Sequence, residues 1–116
     1  MGISRVVLVD VESVQNEKTG DRGKRVQKAR VLACNVDIVG VATAQIGQSQ
    51  GFSLSHSVEV PKYIYHNEKF VYFNGSLHEV KMLTKAKTTT NILLNVQGLQ
   101  DETVKKAVED WMRENL

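Results

Sequence analysis

An Asn-Gly pair, Asn74-Gly75, joins two stretches of alternating strand character at residues 70–73 and 76–80. Asn and Gly both tolerate a positive φ, which a type I′ turn requires of its two central residues, and this turn matches the natural twist of paired strands. The sequence therefore predicts a β-hairpin over residues 70–80. The hairpin in turn favours an all-β core.

Alternating or Val-rich patterns predict further strands on both sides of this hairpin. They cover residues 3–14, 25–37, 52–60 and 91–97, and the second arm of the hairpin extends to about Lys85. Pro61 ends the third pattern, because proline cannot donate a hydrogen bond to a strand ladder. A polar turn over residues 18–23 joins the first two strands into an antiparallel pair. At 116 residues the chain fits one mainly β domain over residues 1–116.

The C-terminal pattern is helical. Asp101 can cap a helix, Glu102 complements the positive end of its dipole, and the sequence predicts a helix over residues 101–115. Its apolar positions recur at helical spacing, at Val104, Ala107, Val108, Trp111 and Met112. The stripe can cover the β domain or dock onto a neighbouring subunit, for which Trp111 and Met112 are the candidate contacts.

Residues 38–52 have a different composition, with three glycines, many small side chains and no charge. Residues 41–46 could wind into a turn or two, but neither a stable helix nor a strand is well supported. We therefore predict a long flexible loop with a functional role, because such loops are uncommon in compact domains. Its candidate functional residues are Val41, Ala42, Thr43, Ala44, Gln45, Ile46, Gly47, Gln48, Ser49 and Gln50.

The charge balance is weak for a dedicated nucleic-acid binder, with 15 basic and 13 acidic residues and a net charge of +2. The basic residues nevertheless cluster in the first hairpin, where the candidates for contact with DNA or with a neighbouring ring are Lys18, Arg22, Lys24 and Arg25. No apolar run approaches the roughly 20 residues that cross a bilayer. No leader pattern opens the sequence, so we expect a cytoplasmic protein without membrane contact.

Reactive side chains are few and scattered. Cys34 is the one cysteine and lies in an apolar run, so we expect a buried free thiol. The three histidines include no pair at helical zinc-ligand spacing, and no phosphate loop, dinucleotide fingerprint or nucleophile elbow occurs. We predict no catalytic, metal or cofactor site, although a small enzyme remains an alternative. Aromatic residues near lysines at 62–73 can be read as core or as the stacking sheet of a nucleic-acid-binding barrel.

The order of these parts resembles the small head-closure, or head–tail connector "stopper", proteins of long-tailed bacteriophages. The matching features are the basic first hairpin, the Gly/Gln-rich segment at residues 40–51, the strand at residues 53–60, the aromatic Asn-Gly hairpin at residues 69–81 and the closing strand at residues 91–96. Together they span residues 6–97. The C-terminal helix is more prominent than the family pattern, which leaves a related adaptor or tail-completion role open.

The resemblance implies a small antiparallel β-barrel with a long loop and one C-terminal helix. It further implies a virion protein of the phage neck, assembled in the host cytoplasm as a ring that is expected to be a dodecamer. Such a ring docks beneath the portal and its adaptor, retains packaged double-stranded DNA and presents a platform for tail proteins. By position, residues 39–51 would be the loop that closes the central channel.

Overall fold

The computed structural model describes residues 2–15 and 22–116 of the chain. Six strands and two helices lie within these residues. Their bounds are β1 Gly2–Gln15, β2 Arg22–Ile38, α1 Val41–Ser49, β3 His56–Pro61, β4 Phe70–Phe73, β5 Ser76–Lys85, β6 Asn91–Gly98 and α2 Glu102–Asn115. The predicted turn at residues 18–21 lies outside the described residues, whereas Arg22 and Gly23 already belong to β2.

The six described strands form a closed barrel in the order β1-β2-β3-β6-β5-β4. Every neighbouring pair is antiparallel. The barrel and the C-terminal helix confirm the predicted mainly β fold class. Closure of the barrel gives each of the six described strands a partner on both sides, but the long β1–β2 hairpin is paired with other strands along only part of its length.

The Asn-Gly turn has the predicted geometry. Asn74 has a φ of 51° and Gly75 a φ of 74°, and Phe73 pairs with Ser76 directly across the two-residue turn. Both central residues are thus left-handed, as a type I′ turn requires. The turn holds β4 and β5 in register in the barrel wall.

The barrel wall carries two apolar layers. The interior layer contains Val6 and Leu8 of β1 and the inward side chains of the other strands. Val7 and Val9 lie in a second, separate cluster that includes Val108 of α2. Because successive side chains of a strand alternate between faces, the run at residues 6–9 is buried on both sides. The outer layer fixes α2 against the barrel.

The predicted C-terminal helix is confirmed. The Asp101 carboxylate accepts a hydrogen bond from the backbone N–H of Val104 at 3.1 Å, and Glu102 lies in the first turn. Trp111 and Met112 are half-buried and pack against the outer apolar cluster. The stripe thus covers the barrel of its own chain, which is the first of the two roles considered for it.

Two predicted segments differ from the structure. The prediction of a long loop over residues 38–52 is wrong for residues 41–49, which form α1. The third strand begins at His56 rather than at residue 52, because residues 52–55 are held by isolated hydrogen bonds instead of a ladder. These two differences lie next to each other and belong to one structural unit.

Candidate interaction surfaces

Residues 38–55, which comprise the last residue of β2, α1 and the connections of α1, form an uncharged protrusion at one end of β2. Three large apolar side chains in it are exposed: Ile38 by 82%, Val41 by 75% and Ile46 by 51%. In α1 itself, Gly47 alone is buried. Exposed apolar groups on a segment without charge are typical of a surface that contacts another molecule.

A Schellman motif explains where α1 ends. Gly51 has a φ of 87°, its N–H donates to the carbonyl oxygen of Gln48 at 3.0 Å, and the N–H of Phe52 donates to that of Gly47 at 2.8 Å. Glycine is favoured at this position because a left-handed conformation costs it little. Gly40 is the N-cap, so two of the three glycines that argued against a helix in fact bound it. A glycine just beyond a run of small residues and glutamines was the signal that could have predicted α1.

The C-terminal end of α1 is anchored to the barrel through residues 52–55. The N–H of Ser55 donates to the carbonyl oxygen of Val96 at 2.8 Å, and the N–H of Ser53 donates to the side-chain oxygen of Gln97 at 3.0 Å. Leu54 packs so closely on the helix that a Cβ atom at Gly47 would lie 2.6 Å from its Cδ1 atom. The helix is therefore held by close backbone approach rather than by an apolar stripe.

The protrusion contains every residue predicted for the functional segment. Nine of them, residues 41–49, form α1, and Gln50 is its C-cap. The structure therefore keeps these residues together on one exposed element, but that element is a helix and not an irregular loop.

The basic hairpin lies at the other end of β2. Lys18 is outside the described residues, and only the backbone of Arg22 is described. Lys24 donates to the hydroxyl oxygen of Ser13 at 2.8 Å, and Arg25 forms an ion pair with Glu12. These two predicted contact residues are thus consecutive on the outer part of β2, and each binds a side chain of β1.

Nearer the barrel, the crossing segment 62–69 covers one face of the hairpin. Lys28 lies 3.6 Å from a carboxylate oxygen of Asp10 and donates to the carbonyl oxygen of His66 at 3.2 Å. The N–H of Lys69 donates to Asp10 at 2.8 Å. In the described part of this cluster, the positive charges of Arg25 and Lys28 are therefore partly balanced by carboxylates of the same chain, which reduces their attraction for a polyanion.

In the part of the chain that the structure describes, the histidines and Cys34 do not form a catalytic arrangement. His56, Phe73 and His78 make an aromatic cluster, in which Phe73 stacks on His78 with ring centroids 4.2 Å apart. Cys34 is a buried free thiol, as predicted; burial, with a contribution from the charge of Glu59, raises its pKa to about 11. Among residues 2–15 and 22–116, no group of three or more His, Cys, Asp or Glu side chains could hold a metal ion.

No protein-family model matches the chain, and no curated protein sequence matches it. In the described part of the chain, neither helix is long and apolar enough to cross a membrane. The fold and its surfaces define a class of protein in structural terms: a closed six-stranded antiparallel barrel with one helix packed outside it and one uncharged helix exposed at its end.

Proposed function

We propose that the chain is a structural subunit of a phage neck, a head-closure connector that forms a ring, retains packaged DNA and provides the platform for tail attachment. The observation that carries this proposal is the uncharged protrusion at residues 38–55, which exposes Ile38, Val41 and Ile46 on a closed barrel. A rigid frame with a separate apolar contact element is suited to a subunit whose work is assembly.

In this proposal, copies of the protrusion meet around the ring axis. Small and apolar side chains can pack there and separate again, because no ion pairs between them have to be broken. The barrel supplies the fixed frame, since its ladder closes on itself and its wall is buried on both faces at residues 6–9. The proposed neighbours are the portal and adaptor ring above, tail proteins below and double-stranded DNA in the channel.

The structure offers less support for a nucleic-acid-binding barrel. Tyr72 and Phe73, which the sequence offered for base stacking, are 8% and 3% exposed. They pack in the two apolar clusters, so their faces are not available to bases. Tyr63, at 77% exposure, is the aromatic residue of this group that stays accessible. A salt-dependent shift of short single-stranded DNA by the purified chain would revive this alternative.

The proposal is tested with DNA-filled heads that carry a portal but lack this protein. We expect the purified chain to sediment with these heads and to prevent the loss of DNA. The double variant V41D/I46D should remain folded, because both side chains are exposed, but should fail to retain DNA since charges of one sign would meet around the axis. A related adaptor role would be indicated if the chain binds the portal yet leaves the heads leaky.

Leu83→Asp provides the matched control. Leu83 is 45% exposed and lies on β5, outside the protrusion, so the same chemical change there should leave DNA retention intact. The proposed function is wrong if the unmodified chain does not bind heads at all. It is also wrong if V41D/I46D retains DNA as well as the unmodified chain does.

A further inference from the structure

The outer part of the β1–β2 hairpin has two open edges. β1 and β2 pair with each other from Gly2↔Val36 to Gln15↔Arg22. On its other side, β1 meets β4 only at Val7–Val9, and β2 meets β3 only at residues 36–38. In the described part of the chain, no strand pairs with the second edge of residues 11–15 or of residues 22–27.

This ribbon is nevertheless held in place. Val11 and Val26 pair with each other and pack against the outer apolar cluster, which contains Val104 and Val108 of α2. The helix therefore covers one face of the ribbon and supports it beyond the barrel. A supported ribbon with unpaired N–H and C=O groups along both edges is a template for pairing with further strands.

The two edges differ in charge. The open β1 edge carries Glu12, whereas the open β2 edge carries Lys24 and Arg25, and β2 has no acidic residue between residues 22 and 36. The side chain of Arg25 is 69% exposed even though it pairs with Glu12, so its remaining N–H groups can donate to a second carboxylate. Pairing β2 with β2 of another copy would place like charges opposite each other, which is unfavourable. Pairing β2 with β1 of another copy places opposite charges together.

We propose that the β2 edge of one copy pairs with the β1 edge of the next copy, so that neighbouring hairpins form one continuous antiparallel sheet. Glu12 of the second copy then lies across from Arg25 of the first, as it already does within each chain. Such a head-to-tail contact is heterologous, and it closes into a ring when the rotation per copy allows. Closure into a neck ring rests on the proposed function. The hairpin contact adds to that function the surfaces that join one subunit to the next.

Charge exchange tests this contact. Glu12→Lys and Arg25→Glu should each weaken self-association by roughly tenfold or more, measured by sedimentation equilibrium. An equimolar mixture of the two variants should recover it. In alternating order, the introduced lysine of one variant meets the introduced glutamate of the other, and the remaining contacts keep the native Arg25–Glu12 pair, so every contact joins opposite charges. An effect confined to the pair within one chain would not be rescued by mixing, so failure of rescue overturns the inference.

Two charge changes elsewhere serve as controls. Lys87→Glu and Glu114→Lys alter exposed residues outside both edges and should leave self-association unchanged. Thermal unfolding of each variant shows whether the fold is intact. If the controls weaken association as much as the hairpin variants do, the effect reflects net charge and the proposed contact is wrong.

Disulfide trapping gives an independent measurement. Ser13→Cys and Lys24→Cys are made in separate chains and mixed at the highest soluble concentration, and Cys34 contributes little background because it is 7% exposed. We expect crosslinks between the two different variants and far fewer within either one. Predominant Lys24→Cys homodimers, or no crosslink, would overturn the inference.

The two proposals fail separately. If the hairpin variants still bind heads and retain DNA, the ring uses other surfaces and the neck function stands. If the unmodified chain ignores heads but the mixed cysteine variants crosslink, the hairpin contact stands without the neck function.

Discussion

The two helices of this chain follow opposite principles. α2 is capped by a side chain, charged on its outer face and buried along a stripe that includes Val104 and Val108. α1 has no side-chain cap and no charge, and it exposes Val41 and Ile46. A nine-residue helix is marginal in isolation, so α1 depends on its anchor at residues 52–55. The apolar residues of α2 are therefore buried and stabilise the fold, whereas the exposed apolar residues of α1 remain accessible to other molecules.

The largest difference between the helices is expected when an apolar residue of each is replaced by Asp. Val108 is fully buried, so Val108→Asp should lower the free energy of unfolding by about 3 kcal/mol or more, and the milder Val108→Ala by about 2 kcal/mol. Ile46→Asp should change it by no more than about 0.5 kcal/mol, because that side chain is half exposed. Urea unfolding monitored by circular dichroism measures all three. Equal losses for the two Asp variants would mean that α1 belongs to the core.

The caps should differ in the same direction by a smaller amount. Asp101→Ala removes the hydrogen bond to the N–H of Val104 and should cost about 1 kcal/mol. Gly40→Asp supplies α1 with the cap that it lacks and should gain a few tenths of a kcal/mol, about the difference between Asp and Gly at an N-cap. The free energy of unfolding again provides the measurement. A loss of stability in Gly40→Asp would show that the extended Gly40 backbone does not accept a cap.

The contact between Gly47 and Leu54 holds α1 against residues 52–55, and it can be tested by substitution. Alanine favours a helix over glycine by about 1 kcal/mol, but its Cβ would lie 2.6 Å from Leu54 Cδ1. We expect Gly47→Ala to be destabilising by roughly 0.5–1 kcal/mol in the native background and stabilising in a Leu54→Ala background. A double-mutant cycle in the free energy of unfolding gives this coupling. Equal effects in both backgrounds would remove Leu54 as the anchor.

The sequence predicted what depends on local chemistry and repeated patterns. Positive φ values at Asn74 and Gly75, the cap at Asp101 and the stripe of α2 follow from rules that act over a few residues. α1 was missed because it lacks an apolar period, and its glycines were weighed as helix breakers when Gly40 and Gly51 in fact bound it.

The surfaces were harder to predict than the elements. Residues 41–50 stand together on one mostly exposed element, but the sequence predicted a loop there and the structure has a helix; their functional role stays a prediction. The open edges of the β1–β2 hairpin could not be seen in the sequence. They depend on how few residues of β3 and β4 pair with it, which is a property of the closed barrel.

His78 lies where the attachments of both helices meet the barrel. Its protonation should therefore affect the stability of both helices, by less than the substitutions above. Its ring stacks on Phe73 and lies 5.6 Å from that of His56, which directly follows the anchor of α1. On the other side it lines a cavity of 190 Å³ together with Glu102 and Lys105 of α2. The ring of His56 is thus a titratable neighbour of His78, and Glu102 and Lys105 bring charges to the same cavity.

Burial lowers the pKa of His78 below its ordinary value of 6.5. The hydrogen bond with the Ser76 carbonyl partly opposes this effect, and the neighbouring His56 adds the smallest contribution, which also lowers the pKa. Below pH 6.5 the unfolded chain therefore binds a proton more readily than the folded chain, so stability must fall as the pH decreases through this range. One such group can contribute a slope of at most about 1.4 kcal/mol per pH unit. His78→Gln should flatten the dependence of the free energy of unfolding on pH in the range below about pH 6.5. Amide hydrogen exchange shows which helix responds to acid. If α1 alone loosens, exchange at residues 41–55 will rise at a higher pH than exchange in α2. If exchange rises equally in both helices, the two are coupled through this end of the barrel and differ only in how their apolar residues pack.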